Sequence, residues 1–184
     1  MLLRVCQVYA REFTALLAEE EFAGLQLETC TVNCGSPGEV PEGLESDPGK
    51  ILAAMGEWCR VGPGTAQHRK AGTDVHLCFD MIAGEAATRD YLASGYHLLS
   101  PGWLDEWPAR MDDWGFDRLL AREFFADCRT RFLLLDTGVS PESARQLAEL
   151  AEYTRRPAMT VQVGLAPARE FLRSLRQQIA VPRS

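Results

Sequence analysis

The sequence predicts an α/β fold built on a mainly parallel sheet with helices on both faces. Short apolar runs typical of buried strands alternate along the chain with segments whose apolar residues recur at a helical period. The length of 184 residues suits one domain and is enough to bury a core without disulfides or metals as staples. We therefore predict a single Rossmann-like α/β domain over residues 1–184.

The individual elements follow from composition and period. Runs of apolar or β-branched residues predict strands over 2–8, 25–32, 75–79, 96–99, 131–135 and 159–163. Helical periods predict helices over 10–22, 50–59, 104–111, 116–125 and 168–178, with further helices from 79 to about 93 and from 140 to about 155. The last of these begins at Ser140-Pro141, a cap residue followed by a first-turn proline. Two segments rich in glycine and proline, 33–49 and 60–72, are predicted loops.

Charge and hydropathy exclude several classes of protein. Nineteen basic against 26 acidic residues give a net charge of -7, which argues against a nucleic-acid binder. No apolar run approaches the roughly 20 residues that span a bilayer, so we predict no membrane association. Arg11 and Glu12 interrupt the first apolar stretch too early for a signal peptide. We therefore predict a cytoplasmic protein in a reducing compartment.

The six cysteines are then candidates for packing or for chemistry rather than for a disulfide framework. Ligands bind parallel sheets at the carboxyl ends of the strands. Three cysteines fall at or near such predicted ends: Cys6, Cys34 and Cys78. The remaining three are predicted to be packing residues: Cys30, Cys59 and Cys128.

Two of the strand-end thiols have neighbours that suggest a site. On a strand, His76 and Cys78 point to the same face, where imidazole and thiolate suit zinc or a cluster iron. The alternative is a buried thiol beside a hydrogen-bonded histidine. Cys34 lies in NCGSPG, where the glycines free backbone N–H groups to turn toward a ligand. This segment predicts either a reactive thiol or a plain turn.

Two further strand ends carry distinctive residues. One of them is an aromatic-rich segment with Ser100, Pro101, Gly102, Trp103 and Trp107. Its aromatic side chains either cover a flat ligand or anchor helices to the sheet, and the anchoring role is favoured. Asp136-Thr137-Gly138 is either a cradle for an anion or an ordinary strand-to-helix turn, and the turn is favoured.

Four segments together resemble a known family. They are VCQVYAREF with Cys6 and Glu12, NCGSPG with Cys34, HLCFDMIAG with Cys78 and Gly84, and LSPGWLDEW with Ser100, Pro101, Trp103 and Trp107. In their order they resemble the domain-of-unknown-function 1638 family of methanogens and of anaerobic or methylotrophic bacteria. The resemblance implies a metal or iron–sulfur site with Cys6, Cys34 and Cys78 as ligands.

The resemblance also implies a setting, because similar domains lie beside genes for corrinoid-dependent methyl transfer or act as input modules of signalling proteins. The leading hypothesis is an accessory or sensory domain that binds an iron–sulfur cluster or zinc, with His76 as the fourth ligand. Residues 100–107 would cover the site, and a corrinoid is a further candidate cofactor. Its partner would be a methyltransferase, a corrinoid protein or a signalling module.

The sequence leaves two alternatives open. In the first, the chain is a thiol-dependent enzyme of group or methyl transfer, with Cys34 or Cys78 as nucleophile and His76 as base. In the second, it is a corrinoid-binding or small-molecule-binding module whose cysteines are structural.

Overall fold

A computed structural model of the chain describes residues 1–30, 51–54 and 77–180. Within these ranges there are six strands, and every pairing between them is parallel. They are β1 (Leu2–Cys6), β2 (Gln26–Cys30), β3 (Ile51–Ala54), β4 (Tyr96–Leu99), β5 (Arg131–Asp136) and β6 (Ala158–Gln162). The predicted α/β class and the parallel strand direction are confirmed.

Helices follow or separate the strands in the described ranges. They are α1 (Ala10–Leu17), α2 (Asp80–Ala83), α3 (Glu85–Ala93), α4 (Pro101–Asp105), α5 (Trp107–Asp113), α6 (Arg118–Asp127), α7 (Ser143–Thr154) and α8 (Ala166–Ala180). Single 3-10 turns lie at Gln7–Tyr9 and Glu20–Phe22. A positive φ of 80° at Gly84, which glycine adopts readily, divides the helix predicted up to residue 93 into α2 and α3.

The described strands form two sheets of three, in the orders β2-β1-β3 and β4-β5-β6. In the first sheet Cys6 lies beside Cys30 in the register of β1 and β2. In the second, Leu133 lies between Leu98 and Met159. The buried side chains of β1, β4 and β5 belong to one continuous hydrophobic core, together with residues of the helices.

Ion pairs hold the last helix to the start of the chain. Arg169 of α8 contacts Glu19 at 2.7 Å, and Arg173 contacts Glu21 at 2.5 Å. No helix in the described ranges is long and apolar enough to span a membrane.

Two predicted elements are wrong. Residues 51–54, predicted as part of a helix over 50–59, form strand β3. A short apolar run fits either structure by its period, and the backbone pairing with β1 that decides the matter involves residues far away in sequence. Residues 77–79, predicted as strand, form a turn that leads into α2, so the argument that placed His76 and Cys78 on one strand face does not apply.

Candidate functional site

Cys6 is the last residue of β1, and its side chain is only 2% exposed. The chain then makes the 3-10 turn Gln7–Tyr9 and enters α1. We refer to residues 6–9 as the β1 turn. Since β2 ends at Cys30, opposite Cys6 in register, two cysteine positions end neighbouring parallel strands. The sequence predicts Cys30 to be a packing residue and gives no sign that it lies beside Cys6.

Cys78 is half-buried in the turn before α2. The backbone N–H of Leu77 donates to Asp80 Oδ2 at 2.9 Å, and the N–H of Asp80 donates to the carbonyl of Leu77 at 3.0 Å. These two bonds fix the backbone on either side of the thiol. The ring of the next residue, Phe79, meets the ring of Tyr9 edge to face at 6.5 Å between centroids.

The two cysteine segments meet through Tyr9. Its ring is buried, and its hydroxyl donates to Cys78 Sγ at 3.1 Å. Hydrogen bonds donated to a sulfur stabilise its thiolate form, which is the form that binds metals and acts as a nucleophile. The turn that begins at Cys6 therefore contacts Cys78 directly, across 69 residues of sequence.

Helix α4 packs on the β1 turn at a point where no side chain fits. A Cβ on Gly102 would lie 2.0 Å from the carbonyl oxygen of Val8, so glycine is required by this close approach of two backbones. Ser100 caps the helix by accepting from the N–H of Trp103 at 3.3 Å, and Pro101 occupies the first turn. The predicted covering segment thus touches the turn that carries Cys6.

The two tryptophans of this segment are largely buried, with Trp103 8% and Trp107 9% exposed. Trp103 contacts the rings of His97 and Trp114, and Trp107 contacts the ring of Tyr153. These contacts agree with the favoured interpretation that the tryptophans anchor helices. A role for residues 100–107 in covering a ligand stays a prediction.

Polar contacts also join the β1 turn and the start of α1 to helix α4 and the residue that follows it. Gln7 donates to Glu106 Oε1 at 2.7 Å, and Arg11 pairs with Asp105 at 3.0 Å. Asp105 also accepts from Gln146 of α7 at 3.0 Å. The end of β1, the start of α1 and the helices α4 and α7 are therefore joined by one set of contacts.

Helix α1 carries a fully buried carboxyl group. Glu12 of α1 is 0% exposed, and its Oε1 accepts from the hydroxyl of Thr137 at 2.9 Å. Its Oε2 has no hydrogen-bond partner among the residues that the structure describes. Burial raises the pKa of the Glu12 carboxyl above its ordinary value, against the opposing effects of its hydrogen bonds and of Arg11. The protonated form of this carboxyl group is therefore favoured more than in an exposed glutamate.

Thr137 belongs to the segment that follows β5. Asp136 Oδ1 accepts from the N–H of Gly138 at 2.9 Å, and Gly138 has a φ of 78°. This is the ordinary strand-to-helix turn that the sequence predicts. The pairing of Thr137 with Glu12 was missed, since the two residues are 125 positions apart and nothing local marks them as partners.

Of the four predicted metal ligands, the structure places Cys6 and Cys78 on segments in mutual contact. Cys34 and His76 lie outside the described residues. Within residues 1–30, 51–54 and 77–180 no group of three His, Cys, Asp or Glu side chains is arranged to hold a metal. Cys128, which the sequence predicts to be a packing residue, is exposed after α6, so this prediction is wrong. Cys59 lies outside the described residues.

Comparison with protein-family models, with curated proteins and with solved structures finds no match to this chain.

Proposed function

We propose that this chain is a metal- or iron–sulfur-binding accessory or sensory domain, with Cys6, Cys34 and Cys78 as thiolate ligands and His76 as the fourth ligand. The observation that carries the proposal is the hydrogen bond from Tyr9 to Cys78, at 3.1 Å. It joins the segments of two predicted ligands that the sequence separates widely. A site shared by these segments needs that approach.

The residues present suit such a group. Three thiolates and one imidazole form a donor set for zinc, and thiolates also hold iron–sulfur clusters. Tyr9 would donate to a ligating sulfur and so orient it, as groups beyond the ligands commonly do. The near-complete burial of Cys6 and the cover that α4 gives to the β1 turn would exclude water. A bound cluster would supply redox sensitivity, and bound zinc would supply rigidity.

In this proposal the domain reports the state of its metal group to a partner. A methyltransferase, a corrinoid protein or a signalling module would fill that role, and the resemblance to the domain-of-unknown-function 1638 family is the support for this choice.

The test is metal analysis of protein purified without oxygen, combined with its absorption spectrum. We expect iron or zinc in a fixed ratio to protein, and we expect Cys6→Ser, Cys34→Ser and Cys78→Ser each to lose it. Cys128→Ser is the matched control, because it removes an exposed thiol that the proposal does not use. It should retain the full metal content.

Two results would contradict the proposal. One is wild-type protein with no iron, zinc or cobalt above background. The other is full metal content in both Cys6→Ser and Cys78→Ser. A Cys30→Ser variant extends the test, because the register places Cys30 beside Cys6. Metal loss in this variant together with retention in Cys34→Ser would assign the third thiolate to Cys30 and contradict the proposed ligand set.

A second candidate function is a thiol-dependent transfer enzyme, favoured by the partial exposure of Cys78 and by its hydroxyl donor. A thiolate stabilised in this way is a nucleophile that an incoming substrate can reach. Alkylation separates the two functions. A metal site protects its thiols together until the metal is removed, whereas a nucleophile reacts singly and fast.

A further inference from the structure

An exposed apolar patch lies along one side of α6. Leu120 and Phe124 are each 45% exposed, and they lie one helical turn apart on the same side of the helix. The ring of Phe124 contacts the half-buried ring of Phe116 at 4.9 Å between centroids. Phe116 in turn contacts Trp114, which is 41% exposed, at 5.9 Å. Large apolar side chains gathered in this way mark interaction sites, whereas single exposed ones need no explanation.

Two acidic side chains flank this patch. Glu123 and Asp127 are exposed, and they follow Leu120 by three and seven residues, which places them on the same side of α6. Neither takes part in an ion pair within the described part of the chain. The two arginines of α6, Arg118 and Arg122, lie on its opposite side, where both contact Tyr153 of α7. The patch is therefore bordered by negative charge that the helix itself does not balance.

The two acids are unfavourable within α6. Like charges four residues apart on a helix repel each other, and a negative charge in the last turn opposes the helix dipole. Asp127 is the last residue of α6, and no basic residue lies in this last turn. The same side of the helix thus combines exposed apolar residues with acids that repel each other. A partner with the opposite charge would relieve this repulsion and cover the apolar side chains.

The residues that form this α6 surface are Trp114, Phe116, Leu120, Glu123, Phe124 and Asp127. We propose that the α6 surface docks a basic amphipathic helix of a partner protein. Its apolar side chains would pack against the apolar side of that helix, and its carboxylates would pair with lysine or arginine. A nucleic acid or an anionic membrane would be repelled by the same carboxylates. The inference does not rest on the metal site, because none of these residues is a proposed ligand. Trp114 also contacts Trp103, so the surface borders on helix α4.

The probe is a synthetic fluorescein-labelled peptide with leucine and lysine at helical spacing, titrated with the full chain and followed by fluorescence anisotropy. A second peptide with glutamate in place of lysine is its matched control. We expect the lysine peptide to bind at least about tenfold more tightly than the glutamate peptide. Its affinity should fall as salt is added, because salt screens exposed charges.

Two pairs of variants test the two parts of the surface. Glu123→Gln/Asp127→Asn removes both charges, and we expect its affinity for the lysine peptide to fall about tenfold. Urea unfolding should show it to be at least as stable as wild type, because the repulsion within α6 is gone. Glu20→Gln/Asp90→Asn is the control with the same change in net charge at exposed positions elsewhere, and its affinity should stay within about twofold of wild type.

Leu120→Ser tests the apolar part of the surface without changing the charge. Met159→Ser is its control, because Met159 is a 52% exposed apolar residue on β6. We expect weaker binding of the lysine peptide in Leu120→Ser and unchanged binding in Met159→Ser.

Several outcomes would overturn the proposal. They are no binding of the lysine peptide, equal binding of the two peptides, equal losses in the two double variants, and no loss in Leu120→Ser. A Glu123→Gln/Asp127→Asn protein less stable than wild type would contradict the repulsion on which the choice of partner depends. Self-association of the wild type that Leu120→Ser abolishes would assign the surface to a second copy of the chain.

Discussion

Replacement of Gly102 by alanine tests the contact that seats α4 on the β1 turn. The new Cβ would lie 2.0 Å from the carbonyl oxygen of Val8, 2.8 Å from its carbonyl carbon and 3.1 Å from its Cα. Real Cβ atoms essentially never approach another atom closer than 3.0 Å, so the two backbones must separate by about 1 Å. Neither partner is a flexible side chain that could rotate away.

The magnitude follows from two opposing effects. Overpacking in a close contact costs typically 1–3 kcal/mol, and a backbone clash belongs at the upper end, about 3 kcal/mol. Alanine recovers roughly 0.5–1 kcal/mol of this, because it restricts the unfolded chain and favours a helix. The expected net loss is about 2 kcal/mol in the free energy of unfolding.

The assay is urea unfolding followed by tryptophan fluorescence, since Trp103 and Trp107 are buried next to the altered contact. Gly138→Ala is the matched control. Its Cβ would meet no atom within 4 Å, so its cost comes only from the positive φ of 78°. Alkylation of Cys78 gives a second readout, because a shifted β1 turn carries Tyr9 with it. We expect Gly102→Ala to change the alkylation rate and Gly138→Ala to leave it unchanged.

A Gly102→Ala protein with wild-type stability and wild-type Cys78 alkylation would refute this reasoning. It would mean that α4 and the β1 turn separate without cost and that their contact does not position the site.

Three further predictions concern single side chains. Glu12 has a pKa raised above its ordinary value of 4.5, so it binds protons more tightly folded than unfolded, and wild-type stability falls as pH rises from about 4.5 through the folded-state pKa. Glu12→Gln should therefore be more stable than wild type at pH 8 and equally stable at pH 4. The gain at pH 8 is about 1.4 kcal/mol for each tenfold difference between the acid dissociation constants of Glu12 in the folded and unfolded states. Equal stabilities of the two proteins at both pH values would contradict this. Tyr9→Phe should slow alkylation of metal-free Cys78 by about threefold to tenfold because the donor to Sγ is lost, and an unchanged or faster rate would count against the contact. Ser100→Ala should lose about 1 kcal/mol of unfolding free energy with the cap of α4, and a loss near zero in urea unfolding would show that the cap is not formed.

The sequence predicts the strands of the second sheet well. The run RFLLL at β5 is long, apolar and bounded by turn residues, and the structure makes it the central strand of β4-β5-β6. Its helix α7 is confirmed but begins at Ser143 with Glu142 at the cap position, and Ser140 Oγ has no hydrogen-bond partner among the described residues, so the predicted cap at Ser140 is wrong. The assignment of 51–54 is wrong for the opposite reason, since four apolar residues fit helix or strand and only the pairing with β1 decides.

The candidate site is harder to predict from the sequence, because its contacts join residues that are far apart along the chain. The sequence predicts a strand over 2–8 with Cys6 toward its end, and in the structure the strand ends two residues earlier, at Cys6 itself. The bond between Tyr9 and Cys78 and the pairing of Glu12 with Thr137 have no local signature, because each depends on how separate segments pack. Gly102 is similar: its sequence neighbours indicate a helix start, and only the approach of Val8 explains why it is glycine.

The most direct test of the proposed function is metal-edge X-ray absorption on protein purified without oxygen. It counts the atoms bound to the metal and distinguishes sulfur from nitrogen by distance. For zinc we expect three sulfur neighbours at about 2.3 Å and one nitrogen at about 2.0 Å, and we expect this zinc signal to be lost in Cys78→Ser. For an iron–sulfur cluster we expect sulfur neighbours at a similar distance together with a short iron–iron distance. A metal surrounded only by oxygen and nitrogen, or a first shell unchanged by Cys78→Ser, would contradict the account.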